Sequence, residues 1–307
     1  MDIAGSVALV TGANGGIGRA FVAALLKRGA AKIYVAARDP ASLSDLLKGG
    51  DGRLVPLRLD VTDSAEVAAT ATAAPDVTLL VNNAGYMAFQ GAIAAADISA
   101  ARREMDVNYF GPLALTRAFK PVLAASGGGA VVNMLSMAAL VSLPVTGTYS
   151  ASKAAFLSVT RSIRAELAAQ GTIVVGVLAV QTETAIGARL PPPRMTPDEV
   201  ASDALDAVQA GKNEEVVAGS LTQGAYEAFT ADPKAFQAKM SMRLPQPLAR
   251  RTLLYLSIMR VTPPSRARLR RPTCLPRGAR WTSIISGRWR LPAHSSPPLP
   301  PPAVARS

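Results

Sequence analysis

The chain has 307 residues, 49% of them hydrophobic, which suits one large domain or two small ones. Its net charge of +12 suggests a nucleic-acid binder, but 12 of the 33 basic side chains lie in residues 244–307, which contain no acidic residue; the other 21 balance the 21 acidic side chains. A single cysteine, Cys274, and a single histidine, His294, exclude an intramolecular disulfide and a Cys/His zinc site and argue against a Ser-His-Asp hydrolase.

Apolar runs alternate with helical patterns along the first 220 residues. Strands are predicted at 7–11, 33–37, 54–59, 79–82, 130–135, 174–178 and 216–217. Helices are predicted at 17–28, 63–73, 99–126, 151–169 and 197–210. Continuous apolar strands separated by helices are typical of a parallel sheet covered on both faces. The sequence therefore predicts an α/β fold with a doubly wound parallel sheet, a single Rossmann-type domain over residues 1–243.

The alternating pattern ends near residue 243. Residues 244–307 hold 12 of the chain's 23 prolines and scattered arginines, so we expect a disordered tail. An altered reading frame or misassigned stop is one explanation; a tether to nucleic acid or an acidic membrane is a second, less favoured one. The chain has no signal-peptide pattern, and the apolar run at 252–261 is too short to span a bilayer, so a cytoplasmic protein is predicted.

A glycine-rich loop, Thr11-Gly-Ala-Asn-Gly-Gly-Ile-Gly18, follows the first predicted strand and opens the first predicted helix. Glycines there allow a tight turn and close approach of the backbone to a pyrophosphate, and the helix N-terminus offers N–H donors. A glycine-rich turn without a ligand is the alternative. The strand before it and the helix after it favour a dinucleotide site.

Tyr149 and Lys153 stand four residues apart, a spacing that places two side chains on one face of a helix. A lysine cation held there favours the phenolate and lowers the tyrosine pKa, which makes the tyrosine usable as a general acid or base. Ser136 lies thirteen residues before Tyr149, and Asn108 lies further back. By itself, Tyr149 is consistent with an aromatic residue packed at a helix start, and Lys153 with a surface lysine. The spacing of all four residues together favours a catalytic site.

Together with Asn82-Asn-Ala-Gly85, these motifs resemble the short-chain dehydrogenase/reductase family over residues 3–220. The resemblance implies an NAD(P)-dependent oxidoreductase. Tyr149 would exchange a proton with the substrate oxygen, which Ser136 would hold. Lys153 would lower the pKa of Tyr149 and bind the nicotinamide ribose, and Asn108 would hold a water linking Lys153 to solvent.

The resemblance also implies the residues that bind the cofactor. They are Gly12, Asn14, Gly16, Ile17, Gly18, Arg38, Asp60, Val61, Asn83, Ala84, Gly85, Tyr149, Lys153 and Thr184. Ala37 occupies the position where NAD enzymes carry an acidic residue, and Arg38 suits a 2′-phosphate, so NADP is favoured. Asp39 keeps NAD open, because its carboxylate could still face the ribose. Asp60 has a helix cap as its alternative role, and Asn82 is expected to be structural.

One departure from the family pattern follows the sixth predicted strand. Ala179 and Val180 stand where relatives commonly carry Pro-Gly, and Val180 cannot adopt positive φ as glycine can. Thr184 still matches the residue that binds the carboxamide. The departure motivates an alternative function, a non-catalytic NADP(H)-binding sensor of the same fold.

The predicted function is interconversion of a hydrophobic alcohol and its ketone or aldehyde. The expected substrate contacts are mostly apolar: Met87, Phe89, Met137, Leu140, Leu143 and residues 186–195. Core packing is the alternative for each of them. By family analogy, helices 99–126 and 151–169 are expected to pair in a homodimer or homotetramer.

Overall fold

A computed structural model of the protein describes residues 1–49 and 51–242. Seven strands form one sheet in the order β3-β2-β1-β4-β5-β6-β7, and every neighbouring pair is parallel. The strands are β1 Val7–Thr11, β2 Lys32–Ala37, β3 Leu54–Arg58, β4 Leu79–Asn82, β5 Ala130–Met134, β6 Ile173–Leu178 and β7 Glu215–Val217. The predicted doubly wound parallel sheet is confirmed, with each strand boundary within about one residue of its predicted place.

Nine α-helices cover the sheet in the described part of the chain. They are α1 Gly16–Lys27, α2 Ser44–Lys48, α3 Ser64–Ala73, α4 Ser99–Met105, α5 Gly111–Ala125, α6 Gly147–Leu167, α7 Pro197–Gln209, α8 Gly219–Ala231 and α9 Pro233–Ser241. The sequence analysis missed α2, α8 and α9. The helix predicted at 99–126 is α4 and α5 joined by a π-helical turn at Asp106–Phe110. Helix α6 begins before the predicted residue 151, so both Tyr149 and Lys153 lie within its first two turns.

The core lies on both faces of the sheet because side chains alternate along each strand. On β1, Ala8 and Val10 pack with α1 and α7, whereas Leu9 packs with α5 and α6. All three are fully buried. None of the helices that the structure describes is long and apolar enough to cross a membrane.

The strand order reverses between β1 and β4, which creates a crevice at the carboxyl ends of the strands. Each predicted motif follows a strand at this edge: the glycine loop after β1, Arg38 after β2, Asp60 after β3, Asn83 after β4, Ser136 after β5 and Thr184 after β6. The fold therefore brings together residues that are far apart in sequence. The predicted tail at 244–307 lies outside the described residues, as do Cys274 and His294.

Candidate active site

A cavity of about 2030 Å³ runs along the carboxyl edge of the sheet. All the cofactor and catalytic residues predicted from the sequence line it, with the exception of Asn108. The cavity also receives residues from α8 and α9, two helices that the sequence analysis did not predict. The glycine loop, the predicted catalytic residues and a set of apolar side chains, called the apolar compartment below, thus line one cavity.

The glycine loop is pressed against its neighbours so closely that side chains have no room. A Cβ on Gly18 would lie 2.2 Å from the carbonyl oxygen of Gly12 and 2.9 Å from Cα of Ala13. Gly12 adopts φ +64°, a left-handed conformation that favours glycine. The Asn83 amide donates to the carbonyl oxygen of Thr11 at 2.8 Å and so ties the loop to the end of β4.

Thr184 lies against this loop at the start of α1. A Cβ on Gly16 would approach its Cγ2 to 2.8 Å. The Thr184 hydroxyl accepts a hydrogen bond from the backbone amide of Gly187 at 3.0 Å. The segment after β6 therefore lies against the N-terminus of α1, where the first N–H groups have no acceptor within the helix.

Arg38 and Asp39 follow β2 and have different surroundings. The Asp39 carboxylate accepts a hydrogen bond from the backbone amide of Ala41 at 3.0 Å and caps a short 3-10 turn. Arg38 is exposed beside the cavity, and the described residues form no ion pair with it. The Asp39 carboxylate is therefore engaged in capping, whereas the Arg38 guanidinium has no ion-pair partner among the described residues.

Asp60 sits at the end of β3 in the cavity wall. Its carboxylate accepts hydrogen bonds from the backbone amide and the hydroxyl of Thr62. Burial acts to raise the pKa of Asp60, but these hydrogen bonds and the charges of Arg38 and Arg103 outweigh it, so the pKa is lowered. Asp63, not Asp60, caps α3, so the helix-cap alternative for Asp60 is wrong.

Tyr149 and Lys153 lie side by side on α6, deep in the cavity. Lys153 Nζ is 5.8 Å from the centroid of the Tyr149 ring and donates to the backbone carbonyl of Met134 at 2.8 Å. Burial lowers the pKa of Lys153 to about 8. Burial also raises the pKa of Tyr149 to about 12. Hydrogen bonding to Ser136 lowers the Tyr149 pKa and the charge of Glu104 raises it, but both effects are smaller than that of burial.

The Tyr149 pKa differs in direction from the sequence-based prediction. The expected lowering by Lys153 is absent because desolvation disfavours both charged forms, the phenolate and the ammonium. In this state the tyrosine is held as a phenol. Ser136, just after β5, lines the same cavity; its hydroxyl donates to the Ala179 carbonyl at 3.3 Å and accepts from the Ala138 backbone amide at 3.1 Å.

Asn108 lies in the π-helical turn between α4 and α5 and is buried behind the cavity wall. Its Oδ1 accepts from the backbone amide of Tyr86 at 2.9 Å, and its Nδ2 donates to the Tyr86 carbonyl at 2.8 Å. Nδ2 also donates to the Ser152 hydroxyl on α6 at 3.0 Å. Asn108 therefore ties the loop after β4 to the helix that carries Tyr149, and π turns of this kind are frequent at functional sites.

Asn82 has the structural role that was predicted. Its Nδ2 donates to Asn133 on β5 at 2.9 Å and to Thr116 on α5 at 3.1 Å. The bond to Asn133 joins neighbouring strands below the cavity.

The segment after β6 runs without the Pro-Gly pair. Among the described residues, only Asp51 and Phe89 have positive φ outside glycine, so Val180 needs no left-handed conformation. The Ala179 carbonyl accepts from the backbone amide of Met137, and the Val180 amide donates to the Thr222 hydroxyl on α8. The loop is therefore held by α8 in place of a rigid proline.

The sequence model of the short chain dehydrogenase family matches residues 6–194, which span every motif described above. The chain belongs to the short chain dehydrogenase family. The family match ends before α7, so α8 and α9, which wall the cavity, lie beyond it.

Several known members of the family resemble the chain. A crystal structure of a short chain dehydrogenase from Burkholderia cenocepacia in complex with NADP is 42% identical, with a TM-score of 0.73, covering 80% of this chain and 100% of that one. Dehydrogenase/reductase SDR family member 7B of Xenopus laevis is 31% identical over 78% of this chain and 81% of that protein. Short chain dehydrogenase tazN of Aspergillus terreus is 36% identical over 54% of this chain. The match spans only 39% of tazN.

The apolar compartment of the cavity is the part that receives the loops after β4 and β5. Met87, Phe89, Met137 and Leu143 line it, as predicted. Leu140 does not; it packs into the core cluster of Leu135, Phe156 and their neighbours, because the 3-10 turn at Met137–Ala139 rotates it away from the cavity. Met195 is also buried outside the cavity lining and accepts a hydrogen bond from the Thr222 hydroxyl.

Helices α8 and α9 supply the part of this compartment that the sequence analysis missed. Leu221, Phe236 and Met240 line it from these helices. The Gln237 side chain donates to the Ser142 carbonyl at 2.9 Å and accepts from the Ser142 amide at 3.0 Å, which fixes α9 to the segment after β5. The Asp232-Pro233 pair, a helix cap followed by proline, was the sequence signal for α9.

Two cations also border the apolar compartment: Arg189, from the predicted 186–195 segment, and Lys239, from α9. Both are exposed, and the Arg189 guanidinium lies over the Phe89 ring at 4.1 Å from its centroid. Stacking of this kind covers the apolar ring while leaving the charge in solvent.

Proposed function

We propose that the protein is an NADP(H)-preferring oxidoreductase that reduces a hydrophobic ketone or aldehyde to its alcohol. The observation that carries the proposal is the single cavity in which the glycine loop, Arg38 and the Ser136, Tyr149 and Lys153 side chains meet. Family membership supports the reaction type. The proposed catalytic domain is residues 1–243; cytoplasmic location and assembly as a homodimer or homotetramer stay predictions.

A dinucleotide fits the residues that are present. Gly12, Gly16 and Gly18 line the cavity and pack too closely on neighbouring residues to carry a Cβ, and α1 begins at this point, so backbone and no side chain would border a pyrophosphate there. Arg38 would hold the 2′-phosphate, Asp60 and Val61 the adenine, and Lys153 the nicotinamide ribose. The Burkholderia relative in complex with NADP supports the same choice of cofactor.

The chemistry follows from the protonation states of the side chains. NADPH, when bound, supplies the hydride that the carbonyl carbon receives. Ser136 would hold the carbonyl oxygen, and Tyr149 would donate its proton to that oxygen as the alcohol forms. Tyr149, whose pKa burial raises to about 12, carries the proton that the reduction consumes. Lys153 would then return a proton to Tyr149 from solvent, by way of a water that Asn108 would hold.

The sensor alternative rests on the Ala179–Val180 departure. The structure weakens that argument, since the segment is held by backbone hydrogen bonds without positive φ. Titration with NADPH and NADH, followed by nicotinamide fluorescence, tests cofactor binding. Turnover with a panel of ketones that includes activated diketones then separates the functions: tight NADPH binding without any turnover would favour the sensor.

Replacing Gly18 by Ala is expected to weaken NADPH binding on the order of ten- to a hundredfold. The new Cβ would meet backbone atoms of Gly12 and Ala13, which cannot move aside as a side chain can. Gly15→Ala is the matched control, because its Cβ would lie 3.5 Å from the nearest atom, an ordinary contact. Equal NADPH affinities of the two variants by fluorescence titration would contradict the proposed site.

Replacing Arg38 by Asp is expected to lower NADPH affinity on the order of ten- to a hundredfold and to leave NADH affinity unchanged or improved. The substitution removes a charge-assisted hydrogen bond to the 2′-phosphate and adds a repulsive carboxylate. Arg117→Asp, an exposed charge reversal on α5 away from the cavity, controls for net charge. An unchanged ratio of the two dissociation constants would show that Arg38 does not bind the phosphate.

A further inference from the structure

The segment after β6 is closed at its two ends by backbone pairing. Thr182 and Met195 form a parallel β-bridge. The Glu183 backbone amide donates to the Met195 carbonyl at 2.8 Å, and the Met195 amide donates to the Gln181 carbonyl at 3.0 Å. A short segment whose ends lie side by side is an Ω-loop, a kind of loop that is frequently functional. Residues 182–195 are called the Ω-loop below.

The Ω-loop forms part of the cavity wall. Thr184, which is proposed to bind the nicotinamide carboxamide, lines the cavity from the first half of the loop and packs against Gly16 of the glycine loop. Ile186, Leu190 and residues 191–193 line the cavity from the remainder of the Ω-loop. The position of this one loop therefore bears on both the cofactor and the substrate.

Arg194 binds the Ω-loop by its backbone without lining the cavity itself. Its Nε donates to the Gly187 carbonyl at 2.8 Å. Its Nη2 donates to the Ala188 carbonyl at 3.2 Å and to the Leu190 carbonyl. Hydrogen bonds from a charged donor are stronger than those between neutral groups, and the planar guanidinium holds its donors in a fixed geometry. One side chain thus fixes three carbonyls of the loop.

Gly187 connects Arg194 to Thr184. The Gly187 amide donates to the Thr184 hydroxyl at 3.0 Å, while its carbonyl accepts from Arg194. The turn is tightly wound there, because a Cβ on Gly187 would lie 1.8 Å from the carbonyl oxygen of Thr182. Arg194 forms no ion pair with the residues that the structure describes. The bonds that it donates all go to the Ω-loop backbone in this part of the chain.

We propose that Arg194 is a positioning residue that keeps the Ω-loop folded before NADPH and the ketone bind. The inference rests on the proposed function. Arg194 acts through Thr184 and the apolar side chains of the loop and touches no reacting atom. Without its guanidinium, ligand binding has to order the loop, and the free energy of ordering is subtracted from the affinity.

Arg194→Met removes the donors and keeps an unbranched side chain. KM for the ketone and Kd for NADPH should each rise on the order of tenfold. At saturation the bound ligands order the loop, so kcat should stay within a few-fold of the unmodified value. Arg194→Lys, whose ammonium can reach fewer of the carbonyls at once, should give intermediate values. A merely structural role would reduce the amount of active protein and so lower the apparent kcat at unchanged KM.

Arg53→Met is the matched control. The Arg53 guanidinium also donates to two backbone carbonyls, those of Leu26 at 3.2 Å and Ala30 at 3.0 Å, but Arg53 does not line the cavity. Its substitution should leave KM for the ketone and Kd for NADPH unchanged. Values for Arg194→Met that match those of Arg53→Met would overturn the proposal.

Hydrogen exchange measured by mass spectrometry on peptides that cover residues 182–195 needs neither ligand nor turnover. The amides of Gly187, Ala188 and Leu190 are hydrogen-bonded within the Ω-loop and should exchange on the order of tenfold faster in Arg194→Met than in the unmodified protein. If Arg194→Met does not fold, a smaller acceleration in Arg194→Lys decides the question.

The two measurements separate the inference from the function on which it rests. Unchanged exchange in both Arg194 variants, with NADPH binding and turnover present in the unmodified protein, would overturn the role of Arg194 and leave the proposed function standing. Absence of NADPH binding and turnover in the unmodified protein would sink the proposed function, and the exchange rates would then show by themselves whether Arg194 holds the Ω-loop.

Discussion

Tyr149→Phe is expected to lower turnover about a hundred- to ten-thousandfold while NADPH binds almost as tightly as before. The substitution removes only the hydroxyl, the group that is proposed to donate the proton, from a residue that lines the cavity with Ser136 and Lys153. The ring stays, so the packing of α6 and the shape of the cavity are kept. The loss should therefore appear in kcat and not in cofactor affinity.

Steady-state reduction of an activated diketone, with NADPH titrated separately by fluorescence, measures both quantities. Tyr226→Phe is the matched control: it removes a tyrosine hydroxyl on α8 that does not line the cavity. Turnover by Tyr149→Phe within a few-fold of the unmodified protein would refute the proton-donor role and, with it, the proposed mechanism. A parallel loss in Tyr226→Phe would point to damage of the fold.

The strands and the site motifs were predictable because each depends on local sequence. Fully buried parallel strands are continuous apolar runs, and turn glycines and the tyrosine–lysine pair have fixed spacings. The π turn at Asp106–Phe110 was not predictable, since its extra residue barely changes the helical period of the 99–126 segment. Nor was the direction of the Tyr149 pKa shift, because it depends on how deeply the tertiary fold buries the hydroxyl.

Glu104 shows where a sequence signal existed and was overlooked. It stands four residues before Asn108, and this spacing continues to the buried Gly111 and Leu115. An acidic residue on the buried stripe of a helix is rare unless it is paired or functional. The buried face that contains Glu104 could be identified only once the end of α4 and the π turn were known.

Lys153→Met is expected to stabilise the protein by about 2 kcal/mol at pH 7 while removing turnover. Burial lowers the pKa of Lys153 to about 8 from its ordinary 10.5, so the charged ammonium costs the folded state about 3 kcal/mol below pH 8. Methionine fills similar space without that cost, although the hydrogen bond to the Met134 carbonyl, worth about 1 kcal/mol, is lost.

The pH dependence makes this prediction specific. Between pH 8 and 10.5 the unfolded chain holds the Lys153 proton and the folded chain does not, so stability rises with pH in the unmodified protein. Above that window the cost is gone, and the advantage of Lys153→Met should vanish. The raised pKa of Tyr149 acts in the opposite sense, from about pH 10 upward, and is present in both proteins, so it cancels in the difference.

Urea unfolding of the unmodified protein, Lys153→Met and the exposed-lysine control Lys120→Met at pH values from 7 to 11 measures the effect. If the unfolding free energies of Lys153→Met and the unmodified protein differ by the same amount throughout pH 8–10.5, the ammonium of Lys153 is not destabilised by burial.

The expected loss of the Lys153→Met advantage at high pH bears on function. A lysine kept at a cost in stability, where methionine would pack better, is explained by the cofactor and the proton that it is proposed to hold.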